Sequence, residues 1–319
     1  MLSSSVIIAS YRRPQHLAKC LEGIARQILP PDEVIVVWQA DDRETRDLCE
    51  QLSPTFEGRL KLLHCSIAGI VPAENEGLKG AKGGIIALID DDAVAPGNWL
   101  SKHLEHYEDE AVGAVGGPAL NHTPSGVRFP VKRVKRIGKL TWYGKFFGNL
   151  DDSVLDDGRD EVVQVDGLAG CNMSLRRSAF ERFEENMRDY WQFFELEACQ
   201  QVRLRGFQIV FNFDNPVLHY PASHNKVYDG SREGNPTQKF INSAYNHAYI
   251  LSRYTSGALR AVRLFYLVFI SSVPFAGPIK YPLAVWRYGH PAREFRIMVG
   301  ILRAHLKGWK DGGCEGKKR

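Results

Sequence analysis

The sequence predicts an α/β protein built on a mixed, mainly parallel sheet with helices on both faces, followed by a helical extension at the C-terminus. Two observations predict it. Short apolar runs alternate with stretches of helical periodicity through the first hundred residues. Three adjacent aspartates, Asp90-Asp91-Asp92, directly follow the fourth apolar run. The charge is also unevenly divided: residues 226–319 carry 16 Lys+Arg against 5 Asp+Glu, a net of +11, which leaves −7 for the rest of a chain whose net charge is +4. That asymmetry is a footprint of binding to an anionic surface, or else of a solvated tail.

The elements follow in order. Val6 to Ser10 is an apolar run ending in turn-prone residues. Residues 16–28 place Leu17, Leu21, Ile24 and Ile28 on one helical face. Glu33 to Trp38 reads as a second strand, 44–52 as a helix and Leu60 to His64 as a third strand. Residues 73–82 read as a helix that leads through Gly83-Gly84 into the strand Ile85 to Ile89. This alternation argues for a parallel sheet. In such sheets ligands bind outside the carboxyl ends of the strands, so the residues just after each strand are the ones that bear chemistry.

Composition is that of an ordinary globular protein, 44% hydrophobic and 24% charged, and 319 residues suffice for a sizeable core in one large domain or two fused halves. Six cysteines without CxxC spacing read as reduced core residues. No signal peptide is visible before the strand at Val6, which predicts a cytosolic body.

Asp90, Asp91 and Asp92 repel one another and are costly to assemble without a cation. Oxygen ligands of this kind suit magnesium or manganese, which also bridge a diphosphate. The alternative is a solvated acidic turn.

Several motifs resemble the family-two glycosyltransferases, whose nucleotide-binding half has the GT-A fold. The opening Ser5-Val6-Ile7-Ile8-Ala9-Ser10-Tyr11-Arg12-Arg13-Pro14 is similar to their first strand and turn. Ala73-Glu74-Asn75-Glu76-Gly77-Leu78, then Ala81 to Asp92, is similar to the stretch leading to their DXD motif. The resemblance implies a GT-A fold over 5–118 and a nucleotide-sugar site containing Ser10, Tyr11, Arg12, Gln39, Asn75, Asp90 and Asp91. It gives Asp90 the ribose and Asp92 a divalent metal, Mn or Mg, on the diphosphate. Two positions depart from the pattern. The family usually carries two acidic residues after the second strand, where this chain has Trp38 and Gln39, with Asp41 and Asp42 slightly later. Gln39 can still pair with a pyrimidine edge, in keeping with a UDP- or dTDP-type donor. The family often has Arg before the Asn of the middle motif, where this chain has Glu74. Arg12 or Arg13 is then left to meet the phosphates.

The second half extends the resemblance. Residues 165–180, with Gly167 and Gly170 allowing close backbone approach, are similar to the acceptor-side segment. Trp191-Gln192-Phe193-Phe194-Glu195-Leu196-Glu197, followed by a helix, Gly206 and a strand, is similar to the acidic motif. Counting back from Gly206 places Glu195 at the catalytic-base position and Glu197 at a second acidic position. An acceptor hydroxyl is a poor nucleophile, and a carboxylate in hydrogen-bond reach removes its proton as the new bond forms. One base facing one metal-bound leaving group implies direct displacement with inversion. The alternative for Glu195 is a helix-start glutamate favoured by the dipole. His219, after an Asn-Pro turn, is either the remaining metal ligand or a polar strand-end residue, and His224 is a weaker candidate.

Between the halves, 122–165 interleaves basic and aromatic residues. It reads as an acceptor loop or a solvated hairpin. No nucleic-acid module accompanies it, so no nucleic-acid partner is expected. At the C-terminus, Leu264 to Ile279 is an uncharged run too short to span a bilayer and broken by Pro274 and Pro278. With the basic amphipathic sequence around it, 258–319 reads as a peripheral contact with the inner face of a membrane, or else as a helical pair packed on the catalytic domain or a second subunit. The expected organisation is a donor-binding half (1–118), an acceptor-binding half (119–225) and the helical extension (226–319). The expected activity is inverting transfer from a nucleotide-sugar to a glycan or lipid-linked acceptor in cell-surface polysaccharide or glycoconjugate synthesis. The alternative is a non-catalytic binding relative.

Overall fold

The structure, a computed structural model, describes residues 2–123, 126–127, 132–151, 153–155, 162–187, 193–220, 236–272 and 275–316. Its centre is β1 (Ser4–Ser10), buried along its whole length. An apolar run without polar alternation needs cover on both faces. Beside it run β2 (Glu33–Gln39) and β4 (Ile85–Leu88), both parallel to it, with β3 (Leu60–Cys65) parallel to β2. Their carboxyl ends therefore emerge along one edge, which brings Ser10, Gln39 and Asp90 to Asp92 to the same side of the molecule.

The eight-stranded sheet has the order Val162–Gln164, Gln208–Asn212, β6 (Val112–Gly116), Met173–Arg176, β4, β1, β2, β3. Met173–Arg176 runs antiparallel between β4 and β6. The pairing across β4 joins residues before and after 118 in one sheet. A smaller sheet pairs β5 (Ala93–Val94) with Val217–His219, and that strand with β7 (Ala119–Thr123).

Two of the helices start on signals in the sequence. Helix α1 (Pro14–Ala25) opens on a proline and buries Leu17, Cys20, Leu21 and Ile24. It ends three residues before Ile28, which is 80% exposed and does not belong to the apolar face. Helix α2 (Arg43–Leu52) is capped by Asp42, whose side chain accepts from Thr45 N at 3.2 Å. Helix α3 (Ile70–Gly80) begins before the periodic residues, entered through Gly69 at φ +149°. The short α4 (Trp99–Glu105) and α5 (Phe194–Leu204) complete this part. All six cysteines are free and five are buried, as expected of core residues.

The chain separates into two compact units, one of residues 1–139, 147–185 and 195–223, the other of 140–146, 186–194 and 224–319. In the second, α6 (Pro236–Arg253) packs along α9 (Pro291–Gly316). Gly308 and Gly312 let the α9 backbone close on the carbonyls of Tyr245 and Tyr249, where a Cβ would collide. The uncharged run is not one helix. It covers the end of α7 (Leu259–Phe265), a π turn (Tyr266–Ile270), the paired residues Ser271–Ser272 and Phe275–Ala276, and part of a short turn before α8 (Tyr281–Tyr288). Tyr266 and Leu267 face inward, while Phe265 and Ile279 are 51% and 62% exposed. Among the described residues no helix is long and apolar enough to cross a membrane.

The second unit also buries two histidines. Burial holds His247 down to about 4 and His305 down to about 3. Both are neutral when folded and charged below about 6.5 when unfolded, so their contribution is complete above that pH and falls as acid is added. Each costs about 2 kcal/mol of stability by pH 5. We expect a melting temperature that drops between pH 7.5 and 5, and a smaller drop in His305→Gln. A flat profile would contradict it.

Candidate active site

The aspartate triplet does not act as three equal groups. Asp91 is buried under the strand end, accepting from Ser10 Oγ at 2.8 Å and paired with Arg13 at 2.5 Å. Burial pushes its carboxyl upward in pKa, and Arg13 opposes this. Arg13 also meets Asp92 Oδ2 at 2.7 Å. Its guanidinium thus spans two neighbouring carboxylates and offsets their repulsion. Arg12, at φ +53°, turns outward instead and pairs with Asp41 at 2.7 Å.

On the other side of the triplet stands His219. The register of the small sheet sets it opposite Ala93, next to Asp92 in sequence, and opposite Asn121 on β7. Its Nε2 lies 3.2 Å from Asp92 Oδ1 and 3.9 Å from Asp90 Oδ2, and its Nδ1 is 2.9 Å from Asn121 Oδ1. With the Asn121 oxygen accepting, Nδ1 carries the proton and Nε2 turns its lone pair toward two carboxylates. That arrangement is repulsive unless a proton or a cation stands between. Burial lowers the imidazole, and the facing Asp92 and Asp90 outweigh it, so its pKa is raised. Asp90, Asp92 and His219 offer ligand atoms within 4.8 Å of one another. Two carboxylates and an imidazole whose other nitrogen is held by an amide fit a divalent ion.

Glu195 lies in the first turn of α5 and keeps a partly exposed edge. Its Oε1 accepts from Gly170 N at 3.3 Å. Burial of the carboxyl pushes its pKa up to about 8, against two backbone amides and with help from the charges of Asp90 and Asp151. A carboxyl tuned this way holds a proton well at neutral pH. Glu197 is fully buried and accepts from Gln201 Nε2 at 2.8 Å, a structural use.

The remaining expected donor residues fall into two groups. Tyr11 and Arg12 lie in the turn after β1, between Ser10 and Arg13, the two residues that contact the triplet. Gln39 and Asn75 are buried in hydrogen bonds of the fold. Gln39 donates to Ser10 O at 3.2 Å and accepts from Gly69 N at 2.8 Å. Asn75 donates to Phe183 O at 3.0 Å and accepts from Phe183 N at 2.9 Å. Ser10, Gln39 and Asp91 thus brace the strand ends, and Asn75 ties α3 to the Phe183 backbone. Trp38 stands over His64 with ring centroids 4.1 Å apart. Asn121 and Arg13's double pairing were not readable in advance, because both depend on which strands lie side by side. Trp191, Gln192, His224 and, within 122–165, residues 124–125, 128–131, 152 and 156–161 lie outside the described residues.

A mixed, mainly parallel sheet with an acidic, metal-competent cluster at the carboxyl ends of its parallel strands defines a class of α/β protein that binds ligands at that edge. Residues 5–183 match glycosyl transferase family 2, more than half of the chain, and the chain belongs to that family. It is 28% identical over 124 residues to glycosyltransferase AglE of Haloferax volcanii, covering 38% of this chain and 41% of that one. It is 32% identical over 118 residues to the succinoglycan biosynthesis protein ExoM of Rhizobium meliloti, covering 36% and 38%. The similarity thus spans about two-fifths of these relatives. Among solved structures, the mannosyltransferase PcManGT of Pyrobaculum calidifontis, in complex with GDP-Man and Mn2+, is similar at TM-score 0.56 and 17% identity, over 97% of this chain and 88% of that one. S. aureus TarS 1-349 with UDP-GlcNAc is similar at 0.60 and 13%, over 99% and 92%. These likenesses show the GT-A fold.

Proposed function

We propose that this chain is an inverting glycosyltransferase that moves a sugar from a nucleoside diphosphate to a hydroxyl of a glycan or lipid-linked acceptor, in synthesis of a cell-surface polysaccharide or glycoconjugate. The observation that carries this reading is the convergence of Asp90, Asp92 and His219 at a strand edge, in a unit that also holds Glu195 at the start of α5, accepting from Gly170 N.

In this reading Asp92 and His219 hold a divalent ion, Mn or Mg, with Asp90 beside it taking the ribose. When bound, that ion supplies positive charge to the departing diphosphate. Arg13 keeps Asp91 and Asp92 close without mutual repulsion. Asn121 fixes the His219 ring so that Nε2 faces the cluster. Tyr11 and Arg12 border the donor, while Ser10, Gln39, Asn75 and Asp91 hold its walls. Glu195 receives the proton of the acceptor hydroxyl, and the raised pKa makes it a strong enough base to do so. The test is thermal stabilisation by UDP-, dTDP- and GDP-sugars, each with and without manganese. Stabilisation by at least one nucleotide-sugar, larger with manganese, is expected, and none from any would count against it.

The second unit bears on where the acceptor lies. Trp286, Phe295 and Leu283 are 82%, 52% and 49% exposed, on helices that also carry Arg287, Arg293 and Arg296. Exposed aromatics beside arginines suit the headgroup layer of an anionic membrane. We therefore place the protein peripherally at the inner, cytoplasmic face through 258–319. In flotation with anionic vesicles it should rise at low salt and be only partly released by high salt, since basic contacts are screened and buried side chains are not. Protein that stays at the bottom at low salt would remove this support for a lipid-linked acceptor.

A further inference from the structure

The two oxygens of Asp92 have different neighbours. Oδ2 accepts from Arg13 Nη1 at 2.7 Å. Oδ1 faces His219 Nε2 at 3.2 Å, within the group that includes Asp90. The carboxylate has no solvent-exposed surface, and contacts to a charge in such a place are strong. Arg13 is itself held in place. Its Nη2 meets Asp91 Oδ1 at 2.5 Å, and Asp91 is fixed in turn by Ser10 Oγ at 2.8 Å. The Arg13 carbonyl accepts from His16 N and Leu17 N, both at 3.0 Å, at the start of α1. Asp92 is fixed as well, its carbonyl accepting from Tyr220 N at 2.7 Å, one residue beyond His219. Two nitrogens of one rigid fork thus serve two neighbouring carboxylates, which a lysine's single ammonium could not match. The fork cannot leave Oδ2 without stranding a buried charge.

We propose that Arg13 sets which divalent ion the cluster takes: by keeping Oδ2 for itself it makes Asp92 a one-oxygen ligand, which favours manganese or magnesium over calcium. This rests on the glycosyl-transfer reading, which puts the ion on Asp92 and His219. Calcium gathers about six to eight oxygen ligands and readily draws on both oxygens of a carboxylate. The smaller octahedral ions are satisfied by one. Arg13 acts as a positioning residue, through the oxygen that it withholds. A guanidinium that merely balanced charge would weaken every divalent ion alike and leave their order unchanged, so the ratio of two ions separates the two roles.

The test compares Mn2+ with Ca2+ on wild type, Arg13→Met and the double variant Arg13→Met/Asp91→Asn. The half-saturating concentration of each ion is read from the rise in melting temperature that it causes, without nucleotide and with UDP or GDP. Wild type should take up Mn2+ at the lower concentration. In Arg13→Met both ions should bind more tightly, since a positive charge is gone. The advantage of Mn2+ over Ca2+ should also shrink by about tenfold, the lower end of what a partner of a metal ligand contributes. The double variant removes the guanidinium together with one carboxylate, so the net charge of the cluster stays, and the new amide can still accept from Ser10 Oγ. There the advantage should shrink by the same factor with no general tightening. The melting transitions show that each variant is folded, and the double variant decides the matter if the single one is not. A ratio that stays at the wild-type value in a folded variant, or wild type that takes Ca2+ as tightly as Mn2+, overturns the proposal while leaving glycosyl transfer standing. Wild type whose melting responds to neither ion, with or without nucleotide, overturns the proposal and the metal assignment together.

Discussion

Replacing Glu195 by Gln is expected to lower turnover by about 10²–10⁴-fold, the usual worth of a positioned general base, while nucleotide-sugar affinity stays within a few-fold of wild type. The amide fills the same volume and can still accept from Gly170 N, so the start of α5 is kept. What is lost is the capacity to take a proton. The same residue sets the pH profile. With its carboxyl pushed up to about 8, the free enzyme holds the base mostly protonated at neutral pH. Activity as kcat/KM should therefore rise from pH 6.5 and level off above 8. A cation beside Asp90 offsets one of the charges that raise Glu195, so the midpoint should move down as manganese is raised. Glu195→Gln should lose the rise. Turnover within a few-fold of wild type in Glu195→Gln would move the base to Glu197 or Asp166, although Glu197 is already engaged by Gln201 and Asp166 lies 3.4 Å from Arg203.

The second large effect concerns Asp92. Asp92→Asn should reduce turnover by about 10²–10³-fold, comparable to removing a group that stabilises developing negative charge, and should abolish the difference in donor affinity between manganese and EDTA. The fold should survive, because Arg13 keeps its contact with Asp91 at 2.5 Å. Donor affinity in wild type that is equal with manganese and with EDTA would contradict the metal assignment to Asp92 and His219.

Much of this was legible from residue pattern. The runs at Val6, Glu33 and Ile85 became parallel strands because uninterrupted apolar runs require cover on both faces, and Leu60–Cys65, interrupted by Lys61 and His64, joined them as the partly exposed edge strand. The triplet Asp90-Asp91-Asp92 announced itself by its place after a strand. Helix ends were less legible. Ile28 fitted the period of α1, but the helix stops at Ala25, since period alone carries no stop signal. The site was legible as composition and not as contact. Nothing in the chain order says that Asn121 stands beside His219, because that follows from the register of β7 with Val217–His219. The same holds for Arg13, whose two partners lie nearly eighty residues away and share one guanidinium. The backbone contacts of Gln39 and Asn75 were equally hidden: motif position pointed to the donor, and nothing in it said that their amides also meet the backbone of Gly69 and Phe183. Leu264 to Ile279 reads as one apolar stretch, yet it folds with Tyr266 and Leu267 inward and Phe265 outward.

In the proposed reaction the cluster at the edge of the sheet drives departure of a nucleoside diphosphate from a sugar. Release of nucleoside diphosphate from a panel of nucleotide-sugars by the purified chain, with manganese and with EDTA, in wild type and in Asp92→Ala, decides it. Release from at least one donor is expected, requiring the metal and disappearing in Asp92→Ala. Release that continues unchanged in EDTA, or that persists in Asp92→Ala at the wild-type rate, would contradict it.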